Sequence, residues 1–248
     1  MALTFKVLTL NLHKGFNFWN RRFVLPELRE AVRQAHADIV LLQEVLGGHA
    51  KHARRHKDWP TAPQYEFLAD TIWKDFAYGR NAVYPAGHHG NAVLSKFPIA
   101  AWHNHDVSIG RRERRGLLHC RLTVPGGGEI HVVCAHLSLF EHERAQQLNL
   151  LCRLLGKAVP PGTPLIVGGD FNDWRRRAGA VLARCGLREA FVEEHGRPAR
   201  SFPARWPFLA LDRIYFRDVG VQSTAVHAMR PWTHLSDHVP LSAEVKVA

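Results

Sequence analysis

The chain has 248 residues, 46% hydrophobic and 22% charged, an ordinary globular composition that excludes wholesale disorder. With 33 Lys plus Arg against 22 Asp plus Glu, its formal net charge is +11, which favours anionic partners: nucleic acid, an anionic membrane surface or phosphorylated small molecules. No apolar run approaches membrane-spanning length, and the N-terminus enters strand-like alternation at once, so the expectation is a cytoplasmic chain without a signal peptide.

Phe5, Val7, Thr9 and Asn11 alternate with Lys6, Leu8, Leu10 and Leu12, which predicts a strand with a polar tip. An aromatic loop with Phe16, Phe18 and Trp19 follows. Helical spacing of Leu25, Leu28, Val32 and Ala35, with Pro26 in the first turn, predicts a helix near 25–35. Residues 39–42 read as a buried strand that ends at Gln43 and Glu44. A basic loop (Lys51, Arg54, Arg55, Lys57) comes next, and Leu68, Ile72 and Phe76 suggest a second helix. Residues 92–94, 116–124 and 130–137 read as strands, the last two joined by a hairpin turn at 125–129. Leu148, Leu151, Cys152 and Leu155 have helical spacing. A buried strand at 164–168 delivers Gly-Asp-Phe-Asn-Asp at 169–173, and a short helix ends at Gly186. Strands at 211–216 and 239–247 close the set. The pattern implies mixed sheets in one domain, residues 1–248. The four cysteines, Cys120, Cys134, Cys152 and Cys185, are widely spaced and read as reduced core residues, not as a zinc site or disulfides.

Several of these strands end in polar residues that are expensive to bury. Asn11 and His13 follow the first strand, Glu44 ends the next and His136 ends another. Asp170 and Asn172 follow 164–168, Asp212 opens 211–216, and Asp237 and His238 precede the last strand. Strand ends on one edge of a sheet converge, so dispersed residues can build one site. Glu44, Asp170 and Asp237 offer hard oxygen ligands suited to Mg²⁺ or Mn²⁺. Asn11 and Asn172 can orient water or a phosphoryl oxygen without adding charge. His136 and His238 exchange protons near neutral pH, and Asp212 could hold one imidazole in the right tautomer. Zinc fits less well, because oxygen donors dominate. Hydrolysis of a phosphate ester needs these parts.

In order along the chain stand Thr-Leu-Asn-Leu-His (9–13), Leu-Leu-Gln-Glu-Val (41–45), Gly-Asn-Ala-Val-Leu-Ser (90–95), Ala-His-Leu-Ser (135–138), Gly-Gly-Asp-Phe-Asn-Asp (168–173), Leu-Asp-Arg-Ile-Tyr-Phe (211–216) and Leu-Ser-Asp-His-Val-Pro-Leu (235–241). Together they resemble the endonuclease/exonuclease/phosphatase superfamily over essentially the whole chain. The resemblance implies an α/β fold, a four-layer α-β-β-α sandwich of two mixed β-sheets as in deoxyribonuclease. It implies metal binding by Glu44, with Asn11 and Asp237 in support, and water and phosphate positioning by Asp170 and Asn172. It also implies a phosphate-contacting or acidic His136, and an Asp212–His238 pair in which His238 is base or phosphate ligand. His13 and Asn91 join the substrate contacts. His13 stands where abasic-site endonucleases carry Asp, which weakens a DNA-repair reading, and no acidic partner for His136 can be picked out.

Arg111, Arg112, Arg114 and Arg115 precede a strand, and Arg175, Arg176 and Arg177 follow the Asp170 motif. Arg115 is the best placed phosphate clamp and Arg175 a second substrate contact. Trp19, Trp59, Trp174, Trp206 and Trp232 in predicted loops suit base stacking, a lipid interface or the core. Three readings stand open. The first is a Mg²⁺- or Mn²⁺-dependent phosphodiesterase acting on nucleic acid, the second a phosphoesterase on phospholipid head groups or phosphoinositides, the third a non-catalytic phosphate-binding module. Nucleic acid is preferred over lipid, an anionic membrane surface is a further possible partner, and no obligate protein partner is expected.

Overall fold

Each long strand predicted from apolar runs is buried on both faces, so the sheets must be covered twice. The computed structural model describes residues 2–247. In chain order it forms β1 (Leu3–Asn11), α1 (Leu25–Gln34), β2 (Ile39–His49), α2 (Ala50–Arg55), α3 (Gln64–Ala69), β3 (Asp75–Tyr84), β4 (Gly87–Ser95), β5 (Ile99–Asp106), β6 (Gly116–Thr123) and β7 (Glu129–His136). There follow α4 (Glu141–Ala158), β8 (Leu165–Asp170), α5 (Ala178–Ala183), β9 (Arg188–Glu189), α6 (Ala190–His195), β10 (Asp212–Arg217), β11 (Gly220–Val226) and β12 (Leu241–Val247). Two six-stranded mixed sheets result, in the orders β11-β12-β1-β2-β4-β3 and β5-β6-β7-β8-β10-β9.

The sheets face each other through Val7, Ile39, Leu41 and Val93 on one side and Leu118, Val132, Ile166 and Ile214 on the other. Leu8, Leu10, Val40 and Leu42 point outward from the first sheet and are covered by Leu25, Leu28 and Val32 of α1 and Leu68 of α3. Leu117, Val133, Leu165 and Val167 of the second sheet are covered by Leu148, Leu151 and Leu155 of α4 and Leu182 of α5. Helices, sheet, sheet and helices are the four layers the sequence implied. Side-chain alternation along each strand sends one set to the central layer and the other to a helical layer.

Strand direction brings the polar tips together. β1 and β2 run parallel, with Asn11 opposite Gln43, while β12 is antiparallel to β1, so its preceding loop returns to the same end. In the second sheet His136 is opposite Asp170 across the parallel pair β7–β8, and Asp212 is opposite Asp170 across the antiparallel pair β8–β10.

Some expectations need correction. Cys152 and Cys185 are joined as a disulfide, because α4 and the turn after α5 bring their Cα atoms to 5.6 Å; only Cys120 and Cys134 are free and buried. The basic segment at 51–57 includes the short helix α2, and the second predicted helix ends at Ala69, with Phe76 placed in β3. Strands β3, β5, β9 and β11 and helix α6 were not expected.

Candidate active site

The floor of the site is a set of hydrogen bonds between strand ends. Gly169 explains the local turn before Asp170. Its φ is +145°, and a Cβ there would lie 1.9 Å from the Ala135 carbonyl oxygen, so only glycine lets β8 approach β7 this closely. Asp170 is buried. Its Oδ1 accepts the Asn172 backbone N–H at 2.9 Å, and its Oδ2 accepts from Asn11 Nδ2 at 3.2 Å, a bond that crosses from one sheet to the other. Asn172, at φ +49°, donates through Nδ2 to the Leu137 carbonyl. Burial first, and then the nearby Asp212 carboxylate, push the Asp170 carboxyl above its ordinary range.

His238 Nδ1 is 2.7 Å from Asp212 Oδ2, and its Nε2 is 3.9 Å from Asp170 Oδ2. Burial alone would lower this imidazole, but Asp212 and Asp170 outweigh it and push it up to about 10. It is therefore an imidazolium at neutral pH, carried on Asp212. His136 is the opposite case. Burial and the Arg115 guanidinium hold it well below the ordinary histidine range. Its Nε2 lies 3.6 Å from Asp170 Oδ2, so the neighbour missing from the sequence reading is Asp170, in a polar contact with a neutral ring rather than an ion pair.

On the first-sheet side, Asn11 Oδ1 accepts the His13 backbone N–H, and His13 Nδ1 is 3.0 Å from Asp237 Oδ2. Burial would raise the Asp237 carboxyl, but the His13 hydrogen bond and the His238 charge lower it. Ser236 Oγ donates to the Asn11 carbonyl at 2.7 Å, which fixes the loop before β12 onto β1. Glu44 follows the buried Gln43, whose Nε2 bonds Thr9 and Cys134 and so locks β2 between the sheets. Glu44 sits at φ +56°, next to His13 at +46° and Lys14 at +58°. With Asn172, four such non-glycine residues around one site are strained backbone of the kind that collects at functional centres. Lys14 Nζ is 2.8 Å from Glu44 Oε2, and this ammonium overcomes burial and holds the Glu44 carboxyl far below its usual range.

The remaining expected residues fall at the rim. Buried Asn91 donates through Nδ2 to the carbonyls of Gly116 and Cys134, which leaves its Oδ1 without a partner. Arg115 Nη2 is 3.1 Å from Glu113 Oε1, and Glu113 Oε2 accepts from Ser138 Oγ, two residues beyond His136. Arg175 is spent elsewhere: Nη1 is 2.6 Å from Glu141 Oε2, and the guanidinium lies over the Trp174 ring. Arg177 pairs with the same Glu141. Lys14, His89, Glu113 and Ser236 were missed by sequence reasoning. Ser236 and Lys14 sit inside or beside quoted motifs, but nothing in their spacing marks them. His89, lowered to about 4 by burial and Lys14, reaches the site only through the β2–β4 pairing.

A profile of the Endonuclease/Exonuclease/phosphatase family matches residues 8–238. The chain belongs to this family. Among curated relatives, uncharacterised protein YbhP of Escherichia coli strain K12 is 54% identical over 244 residues, covering 98% of this chain and 96% of the relative. The endonuclease/exonuclease/phosphatase from Bacteroides vulgatus superposes with a TM-score of 0.78 at 19% identity, covering 99% of this chain and 100% of that one. D. rerio TDP2 complexed with single strand DNA product has a TM-score of 0.73 at 16% identity, covering 98% of each chain. These two likenesses show the fold.

The chemistry of the donor set fits a hard divalent cation. Glu44, Asp170 and Asp237 carry carboxylate oxygens and Asn11 an amide oxygen, the donor types a hard cation takes, and Lys14 places positive charge against Glu44. Asp212 Oδ1 is buried without a hydrogen-bond partner. Asp170, Asp212 and His238 also offer ligand atoms within 4.8 Å of one another.

Proposed function

We propose that this chain is a divalent-metal-dependent phosphodiesterase. The observation that carries the reading is a strained Glu44 bonded to Lys14 and, separately, the His238–Asp212 hydrogen bond, on either side of the Asn11–Asp170 bond that joins the two sheets. Glu44, with Asn11 and Asp237, would hold Mg²⁺ or Mn²⁺. The ion, when bound, would supply charge against the anion that develops at phosphorus. Asp170, positioned by Asn11 and Asn172, orients and accepts a proton from an attacking water. His238, held on Asp212, donates through Nε2 to the alkoxide that departs as the old P–O bond breaks, so the products are a phosphomonoester and an alcohol. Neutral His136 and Arg115 complete the phosphate contacts.

Nucleic acid is the proposed substrate class. The net charge of +11 supports it, as does the family neighbour TDP2, whose structure carries a single-strand DNA product. His13 in place of an acid, and the exposed aromatic residues, favour a phospholipid or phosphoinositide substrate as the second reading. We read residues 1–248 as one domain, because both sheets contribute to a single floor and the family match runs through both. No helix among the described residues is long and apolar enough to cross a membrane. A cytoplasmic placement stays part of the proposal, and the Cys152–Cys185 pair tests it: in a reducing compartment both are thiols.

The deciding experiment is a substrate panel with Mg²⁺ or Mn²⁺: single-stranded DNA, duplex DNA, RNA, anionic phospholipid vesicles and inositol phosphates. The reading expects cleavage of a nucleic acid well above the lipid substrates. Turnover confined to phospholipid or inositol phosphate replaces it with the second reading.

A further inference from the structure

Of the arginines that flank the sequence motifs, Arg115, Arg175 and Arg177 are occupied by carboxylates, while Arg111, Arg112, Arg114 and Arg176 are not. Arg175 and Arg177 hold Glu141, and Arg115 holds Glu113. By contrast, no carboxylate oxygen among the described residues lies within 4.0 Å of Arg176, Arg197, Arg200, Arg205 or Arg230. These five surround the segment 197–209. On one side is a recess of about 420 Å³, lined by Phe18, Trp19, Arg22, Arg205, Arg230 and His234. On the other is a wider groove of about 990 Å³ whose walls include Arg176, Arg197 and Arg200.

The segment between them is bonded to the loop that carries Asp237 and His238. The Ala204 N–H donates to the Asp237 carbonyl at 2.7 Å, and Val239 N–H to Ser201. The Phe202 ring is 5.0 Å from the His238 ring. His234, in the wall of the recess, is two residues before Ser236, which is bonded to Asn11. Inside the recess the Arg205 guanidinium stands over the Trp19 ring, 5.9 Å from its centroid. Trp19 is 57% exposed, so its indole carries no core packing.

We propose that the recess at Trp19, Arg205 and Arg230 is a base-stacking subsite for a single-stranded nucleic acid whose scissile phosphate lies at the Glu44–His238 floor. The proposal rests on the phosphodiesterase reading and names the substrate class of that site. An indole face in a concavity accepts a planar base, and unpaired guanidiniums beside it accept the flanking phosphates. A lipid surface would call for apolar side chains on a convex face, whereas Trp19 walls a recess in which Arg22 is paired with Glu27 and Arg205 and Arg230 have no carboxylate partner.

The test compares binding of a labelled oligothymidylate with that of an abasic strand of the same length and charge, in EDTA, by fluorescence anisotropy. Wild type should prefer the strand with bases by about 5- to 150-fold, the range of one stacked base. Trp19→Ala should abolish that preference and Trp19→Phe retain most of it. Arg205→Ala with Arg230→Ala should weaken both strands and flatten the salt dependence. Equal binding of the two strands by wild type, or a preference that survives Trp19→Ala, overturns the proposal. So does a Trp19→Ala variant that loses affinity for phosphatidylserine vesicles alone, which would make this a membrane-binding face. Turnover of bis(p-nitrophenyl) phosphate, a diester too small to reach the recess, should be the same in wild type and Trp19→Ala. Absence of any such turnover in wild type would count against the phosphodiesterase reading, while the binding comparison still decides the subsite.

Discussion

At the scale of single residues, the site sets two imidazoles in opposite charge states within one buried space. His238 is held protonated by Asp212 and Asp170, and His136 is held neutral by burial and Arg115. His238 and Asp212 act as one unit, so their losses should not add. His238→Ala and Asp212→Asn should each lower diester turnover by about 10²- to 10⁴-fold. The double variant should fall little below His238→Ala alone, whereas multiplied losses in steady-state kinetics would show two independent roles. Gly169 belongs to the same scale. Gly169→Ala forces a Cβ against the Ala135 carbonyl at a φ of +145°, and should cost roughly 3 kcal/mol or more in urea unfolding, with loss of turnover as Asp170 moves. A variant of wild-type stability would remove the close-approach argument. The gathering of Asn11, His136, Asp170, Asp212 and His238 was legible because each lies in a short motif at or beside a strand end, whereas Glu44, expected at the end of a strand, lies within β2, where the pairing with β4 shifts register between Leu42 and Val45. Lys14, His89 and Glu113 were not, because only strand pairing and loop packing bring them to the site.

At the scale of elements, Glu189 shows how a short helix depends on protonation. It caps α6 by accepting the Val192 N–H at 2.6 Å, while its other oxygen is buried without a partner. Burial is the main cause of a carboxyl raised from 4.5 to about 7. A carboxyl raised on folding favours the folded state while protonated, so this contribution is present at acid pH and is lost as pH rises from about 4.5 through about 7. Glu189→Gln should therefore gain about 1–3 kcal/mol over wild type at about pH 8 and much less at about pH 5, measured by denaturant unfolding. Equal differences at both pH values would contradict the linkage. The strands with long apolar runs were legible from their composition. β5 was not, because at Ile99–Asp106 it is an edge strand with several exposed positions and no buried one, and β11 is an edge strand of the same kind. The Cys152–Cys185 pair was hidden for a related reason: 33 residues separate the two, and only the packing of α4 against α5 makes them neighbours.

At the scale of the whole molecule, two sheets pack face to face and the candidate site lies at one end of the pair, where polar residues of both sheets come together. The first sheet brings Asn11, Glu44 and Asp237, and the second brings His136, Asp170 and Asp212. The bond from Asn11 to Asp170 joins the two halves. The four-layer architecture could be expected from the ordered motifs, but the course of the free positive charge could not. Within the arginine runs, Arg115, Arg175 and Arg177 are tied to Glu113 and Glu141, and a further unpaired group, Arg197, Arg200 and Arg205, lies in the segment 197–209. The central claim is that Glu44 anchors a divalent ion required for diester hydrolysis. Its most direct measurement is turnover of bis(p-nitrophenyl) phosphate by chelator-stripped wild type and Glu44→Gln across a Mg²⁺ or Mn²⁺ titration. Stripped wild type should be inactive and recover saturably, whereas Glu44→Gln should need far more ion and remain at least about 10²-fold slower. Full turnover in excess chelator, or a Glu44→Gln curve that overlays wild type, would contradict the claim.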